Sequence, residues 1–226
     1  MPKITPRFYT VASSSNFDNK RMDIIISLLS WKAVNGESRF GLTSNYYKEI
    51  FENFKFKDNN KNFSTRLVIR ESSFKLPKNL NTPMIMIATG TGVAPYISFC
   101  QELDYLLSSG SLSTFNSNSV LIFGSKNKHY DFIYEEEINS YMSKSILKYI
   151  YTAFSRDNEK KHYVQNILSE SKTELENFLL HEESIIYICG GVSMGAEVVA
   201  TLEKIFTKDF VKKLENENRL IKELWG

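Results

Sequence analysis

An α/β fold, a doubly wound parallel sheet preceded by a shorter stretch of antiparallel β structure, is what this sequence predicts. Two observations carry it. From Thr82 onward, short apolar runs alternate with longer amphipathic segments, the order that builds parallel strands joined by crossover helices. A glycine-containing turn, Gly90-Thr91-Gly92, sits between the first of those runs and the first of those helices. The 226 residues suffice for one large domain or two small ones, and the change of texture sets a boundary that divides them into 1–79 and 80–226.

In the first region, strand-like runs are expected at residues 7–12, 22–29 and 66–69, with a short helix at 44–54. Three strands are few for a closed core. The polar run 55–62 reads as a solvated loop. In the second region Pro83 precedes a strand at 84–88, and a helix follows at 94–107. A polar loop at 111–118 leads to a strand at 120–123 and a helix at 131–142. The third strand is expected at 148–154, with helical stretches at 164–168 and 172–180. The fourth is expected at 184–189. The helix at 193–206 is well patterned, because Met194, Val198, Leu202 and Ile205 share one face.

Composition bounds the function. The chain is 42% hydrophobic and 24% charged, ordinary for a globular protein. A net charge of +2, with no basic-aromatic stripe, names no nucleic-acid partner. No apolar run approaches the roughly 18 residues of a membrane span, and the N-terminus lacks a signal-peptide core. Cys100 and Cys189 are too few for a disulfide scaffold. A cytoplasmic chain without membrane contact is therefore expected, with an anchor in a longer parent protein left open. His129, His162 and His181 lack paired ligand spacing, so they are read as surface or helix-end residues and no metal site is expected.

The sharpest local signal is Ala88-Thr89-Gly90-Thr91-Gly92-Val93-Ala94-Pro95. Glycines let backbone approach a phosphate closely, and a helix N-terminus offers unpaired N–H groups. Pro95 suits a first helical turn. Neither a P-loop nor the G-x-G-x-x-G fingerprint is present, since no Gly-Lys-Ser/Thr follows and Pro95 stands where a third glycine would be. A tight turn without a ligand explains this segment equally well.

Six motifs follow one another along the chain: Arg7-Phe8-Tyr9-Thr10, Gly41-Leu42-Thr43-Ser44, the segment 70–77, the Gly-Thr-Gly turn, Ser155-Arg156-Asp157 with Lys161, Tyr163 and Gln165, and Ile186-Tyr187-Ile188-Cys189-Gly190-Gly191 with Met194. Taken in that order, they resemble the diflavin reductases and the wider ferredoxin–NADP reductase family. The C-terminus, 220–226, resembles the family's aromatic ending. The resemblance implies an NADP-binding α/β domain of ferredoxin reductase type, preceded by a partial antiparallel β-barrel that binds FAD. By the same resemblance the barrel's first strands, the connecting domain and the FMN domain are absent from this chain, and weak FAD retention is expected.

Residue roles follow from the resemblance. Arg7 would pair with an FAD phosphate, Tyr9 would lie against the isoalloxazine, and Thr10 would set its hydroxyl near flavin N5. Trp31 would stack on adenine, although a partly buried surface aromatic reads as well. Gly41 and Ser44 would hold the FAD diphosphate, and Ser44 is equally a natural N-cap. Gly90, Thr91 and Gly92 would take the NADPH pyrophosphate. Ser155, Arg156, Lys161, Tyr163 and Gln165 would hold the 2′-phosphate, with Lys126 adding a cation. Met194 lies just beyond Cys189, which would sit beside nicotinamide C4. Glu223 would join Thr10 and Cys189 around the hydride transfer, and Trp225 would cover the flavin.

Three departures from the family pattern stand out. Gly191 replaces an acid, Ser125-Lys126 replaces Cys-Arg, and Glu223 replaces Asp. The implied activity is hydride transfer from NADPH to FAD, then single electrons to an FMN-containing flavodoxin-like domain or another redox protein. The alternative is an NADPH-binding module without independent turnover.

Overall fold

The computed structural model describes residues 5–55 and 65–226. Its centre is a five-stranded, wholly parallel sheet in the order β5-β4-β3-β6-β7. The strands are β3 (Met84–Thr89), β4 (Ser119–Ser125), β5 (Tyr149–Phe154), β6 (Ile185–Gly191) and β7 (Leu220–Trp225). Before them lie a two-stranded antiparallel sheet, β1 (Ser30–Lys32) and β2 (Ser38–Phe40), and helix α1 (Leu42–Lys55).

β3 shows why the sheet is covered on both faces. Met84, Met86 and Ala88 enter one apolar cluster, while Ile85 and Ile87 enter a second. Alternate side chains of a strand point to opposite faces, so a wholly apolar run needs helices on each. On the first face lie α2 (Ala94–Ser108) and α4 (Glu135–Ser143), through Tyr96, Phe99, Leu103, Ile138 and Tyr141. On the second lie α5 (Val164–Glu170), α6 (Lys172–Leu179), α7 (Val192–Ile205) and α8 (Lys208–Asn216).

The chain leaves β3 outward to β4 and β5, then returns to the far side of β3 for β6 and β7. The carboxyl ends of β3 and β6 therefore form the switch point, where open α/β sheets leave a crevice. After β3 the chain makes a 3-10 turn over Gly90–Val93 before α2 begins. Gly90 has φ +54°, the left-handed region that favours glycine. Gly92 lies against β6, and a Cβ there would stand 2.2 Å from the Cys189 carbonyl oxygen.

The first region docks on α2. Ser14 N–H donates to Gln101 Oε1 at 3.0 Å, Asn16 Nδ2 to Glu102 Oε1 at 2.8 Å, and Ser98 Oγ to the Ser13 carbonyl at 3.0 Å. Phe74 is buried between Tyr96 and Tyr187, whose hydroxyl donates to the Lys75 carbonyl at 2.7 Å.

Several expectations are corrected. Residues 7–12 and 22–29 meet only at the antiparallel bridge Val11–Ile24, and 66–69 is not a strand. A strand exists only through a partner's hydrogen bonds, and no described segment pairs with Leu67, Val68 and Ile69, which are 60%, 86% and 82% exposed. The loop expected at 55–62 lies outside the described residues except for Lys55, which ends α1. The helix expected at 131–142 is two, α3 (Lys128–Asp131) and α4, broken where Tyr134 takes φ 60°. Phe132 turns inward there, with its ring centroid 5.6 Å from that of Phe123 and 5.7 Å from that of Phe154.

Four elements went unread: β1, β2, α8 and β7. α8 is short, and in β7 Lys222 and Glu223 interrupt the apolar residues, as charges often do in an edge strand. Arg219 fixes the entry to β7, since its Nε donates to the Ser184 carbonyl at 2.9 Å and its Nη2 to the His181 carbonyl at 2.6 Å.

Gly92→Ala tests the turn's packing on β6. The added methyl meets backbone rather than a flexible side chain. Urea denaturation should show a loss of about 1–3 kcal/mol or more, and an unchanged midpoint would refute the close approach.

Candidate functional site

A cavity of about 700 Å³ opens at the carboxyl end of the parallel sheet. Thr89, Gly90 and Thr91 enter it from the end of β3, and Gly124, Ser125 and Lys126 from the end of β4. Ser155 follows β5, and Tyr163, Val164 and Gln165 open α5. Ser193 and Met194 come from the first turn of α7, and Trp225 ends β7. Parallel strands deliver these residues together because every one of them ends on the same side.

Two loops at the cavity are tied to each other. Ser155 N–H donates to the Ser125 carbonyl at 3.0 Å, and Arg156 N–H to the Lys126 carbonyl at 2.8 Å. Lys128 N–H donates to Asp157 Oδ2 at 3.1 Å. The stretch after β4 and the stretch after β5 thus form one rim. Lys126, Arg156 and Lys161 have no side-chain hydrogen bond or ion pair with any described residue. Arg156 and Lys161 are exposed beside the cavity rather than lining it.

Ser125 Oγ and Gln165 Oε1 are buried without a hydrogen-bond partner among the described residues. Both residues line this cavity. A buried polar atom without a partner is costly, and a polar ligand removes that cost. Gln165 donates its amide to the Glu197 carboxylate across the mouth of the cavity. The chemistry of the rim, with a glycine turn, hydroxyls, three unpaired cations and two orphaned polar atoms, fits a phosphorylated nucleotide.

A second cluster lies beneath. Cys189 and Glu223 stand opposite each other in the β6–β7 register. Thr10 Oγ1 donates to Glu223 Oε1, and Ser72 Oγ approaches Glu223 Oε2 at 3.5 Å. Burial pushes the Cys189 thiol up, and the Glu223 carboxylate pushes it further. Cys189 is therefore a protonated S–H at neutral pH. The structure thus brings Thr10, Cys189 and Glu223 together.

Residues expected at a flavin are gathered less closely. Arg7 Nη1 donates to the Thr5 carbonyl at 2.8 Å on an exposed surface. Tyr9 meets Tyr47 edge-on at 6.5 Å, and burial raises its hydroxyl. Trp31 lies half-exposed on β1, opposite Arg39. Ser44 lines a smaller cavity of about 200 Å³ together with Leu28 and Lys48. The N-cap expectation for Ser44 is corrected: α1 begins at Leu42, and the Gly41 carbonyl accepts from Asn45 N–H at 2.9 Å. The Ser44 hydroxyl instead joins two segments, donating to the Gly41 carbonyl and accepting from Leu29 N–H, each at 3.2 Å.

Trp225 is the last residue of β7, an edge strand, where it pairs with Gly191, and it lines the cavity as a wall. Gly92 lies under the turn rather than in the lining. Sequence reasoning missed Ile25, Ile26 and Ser27, which close one side, and Tyr130, Asp131, His162, Ser193 and Glu197. Glu197 was findable, since it lies three residues beyond Met194 on the same helix. Asp131 and the 25–27 segment carry no local signal.

The family model described as "Oxidoreductase NAD-binding domain" matches residues 86–200. The chain is 30% identical over 237 residues to the NADPH–cytochrome P450 reductase of Drosophila melanogaster, with all of the chain and 34% of that protein covered. It is 31% identical to NADPH oxidoreductase A of Dictyostelium discoideum, covering 35% of it, and 31% identical to the inducible nitric oxide synthase of Gallus gallus, covering 20%. In both, the whole chain is aligned. The chain therefore spans about a third of the length of the reductases it matches. No helix among the described residues is long and apolar enough to cross a membrane.

The buried acids set a pH dependence. Burial raises the thiols of Cys100 and Cys189 above the ordinary 9.0, and the hydroxyls of Tyr96, Tyr141 and Tyr187 above the ordinary 10.0. Unfolding releases these protons, so the stability they contribute is complete below the ordinary values and is lost as pH rises past them. The urea midpoint should hold near pH 8 and fall from about pH 9 upward, and a midpoint flat to pH 10.5 would refute the burial of these groups.

Proposed function

Since the chain belongs to the oxidoreductase NAD-binding domain family, we propose that it is the NADPH-binding module of a flavoprotein reductase, with residues 1–79 contributing part of an FAD-binding domain and 80–226 the NADP-binding domain. The observation that carries this reading is the cavity over the ends of β3, β4, β5 and β6, with its unpaired cations on one rim. When bound, NADPH supplies a hydride and FAD accepts it.

This chain's own residues bind and orient. Gly90 and Thr91 offer backbone and hydroxyl to the pyrophosphate, at a turn that leads into α2. Ser155, Tyr163, Gln165 and Lys126 line the part of the cavity that would take the 2′-phosphate, and Arg156 and Lys161, exposed beside it, would reach in from outside the lining. Ser125 adds a hydroxyl that no described residue satisfies. Met194 and Trp225 wall the other end. Thr10, Cys189 and Glu223 form the polar cluster beside the transfer, where a protonated thiol next to a carboxylate can donate a hydrogen bond and avoid nucleophilic side reactions. Arg7, Tyr9, Trp31, Gly41 and Ser44 would contact FAD. Electrons would pass on to an FMN-containing domain or another redox protein.

A second reading, in which the chain holds NADPH without turning over alone, is favoured by one observation. Leu67, Val68 and Ile69 expose their apolar side chains, and the described residues before β3 pair only as one two-stranded sheet and one bridge. A barrel assembled so sparsely would grip FAD weakly.

Two measurements test these readings. Ferricyanide reduction by NADPH should appear on adding FAD, whereas no activity at saturating FAD, with 2′,5′-ADP still bound, would leave the second reading standing. Lys126→Ala should weaken 2′,5′-ADP roughly tenfold to hundredfold, the worth of one charged hydrogen bond, while 5′-ADP changes little. Equal losses for both nucleotides would remove Lys126 from the 2′-phosphate.

A further inference from the structure

Resting on the NADPH reading, we propose that His162 is a further ligand of the nucleotide's 2′-phosphate and couples nucleotide binding to proton uptake. The ring lines the cavity between Lys161 and Tyr163. Its Nε2 stands 2.9 Å from Glu170 Oε2 on the last turn of α5. A carboxylate only accepts hydrogen bonds, so Nε2 carries the hydrogen and the ring is held from one side. Nδ1 has no partner among the described residues. In the neutral ring that nitrogen is an acceptor, and in the charged ring it is a donor. A phosphate dianion presents acceptors, so the protonated ring alone can bond to it.

The surrounding charges favour this role. Lys126 is the one lysine or arginine among the described residues that line the cavity, and the same lining holds two acids, Asp131 after β4 and Glu197 on α7. Beside the ring, Glu170 adds a third carboxylate, while Lys161 and Arg156 stand outside the lining. A dianion entering among these carboxylates gains from each added cation. Among the described residues that line the cavity His162 is the one imidazole, the side-chain type that changes charge near neutral pH. The ring binds its proton in step with the nucleotide, with Glu170 holding Nε2.

Calorimetric titration of the full chain with 2′,5′-ADP tests this, in two buffers of different ionisation heat, at about pH 6.5 and about pH 8. Wild type should take up part of a proton on binding, and its affinity should fall about threefold to tenfold between the two pH values. In His162→Gln the uptake and the excess slope should vanish, while 5′-ADP binding, which lacks the 2′-phosphate, stays alike in both proteins. His162→Arg should keep wild-type affinity or better at the higher pH. Because the ligand's own ionisation is common to all three proteins, only their differences count. The same uptake and slope in His162→Gln would overturn the inference and leave the NADPH reading intact. No preference of wild type for 2′,5′-ADP over 5′-ADP at either pH would overturn both.

Discussion

Gly92 lies against the backbone of β6 so closely that a methyl group has no room before the Cys189 carbonyl. That contact joins the turn after β3 to the neighbouring strand at the switch point of the sheet. It sets where α2 begins, and α2 in turn carries Gln101, Glu102 and Ser98, which hold the first region of the chain. It also covers the backbone of the residue whose side chain faces Glu223. The cavity, the seat of the first region and the polar cluster are thus three consequences of one backbone approach, possible only where no Cβ intervenes.

The α/β half was legible because its strands are buried on both faces. A strand such as β3 or β6 must be a continuous apolar run, and such a run is visible in one window of sequence. β7 obeys the same sheet but lies at its edge, where the adjacent charges Lys222 and Glu223 break the apolar run, and the eye reads a tail. The break at Tyr134 was hidden for a different reason. Phe132, Ile133 and Tyr134 are as apolar as a helix face requires, and the bend comes from Phe132 seeking Phe123 and Phe154 on separate strands. In the first region the strands depended on partners that composition cannot supply.

Site residues divide in the same way. Those within one turn or one helix start, such as Thr91, Ser155, Tyr163 and Gln165, came from short local motifs whose roles the family resemblance implied. The approach of Ile25, Ile26 and Ser27 to the cavity comes from the docking of a distant segment, and nothing in their own spacing announces it. Thr10 and Glu223 are 213 positions apart, and they were linked in the sequence only through resemblance to a family. His162 was read as a surface or helix-end residue because it lacks paired ligand spacing, and its contact with Glu170, eight positions on, lies beyond the usual spacing of helix pairs.

Glu223 binds the two halves of the chain at the point where chemistry would occur. One oxygen accepts from Thr10, in the segment assigned to flavin, and the other faces Ser72, in the connection between the regions. Its strand pairs with the strand that carries Cys189. A carboxylate shared in this way resists being moved by either half alone, because shifting the first region forfeits a charge-assisted hydrogen bond that solvent replaces only partly. The replacement of a shorter acid by Glu then has a structural sense. β7 fixes the backbone of residue 223 within the sheet, so the added methylene extends the carboxylate toward Thr10 and Ser72 without any change in strand register. Reach at that one side chain lets a hydroxyl from the first region bond to an anion that the sheet sets opposite Cys189.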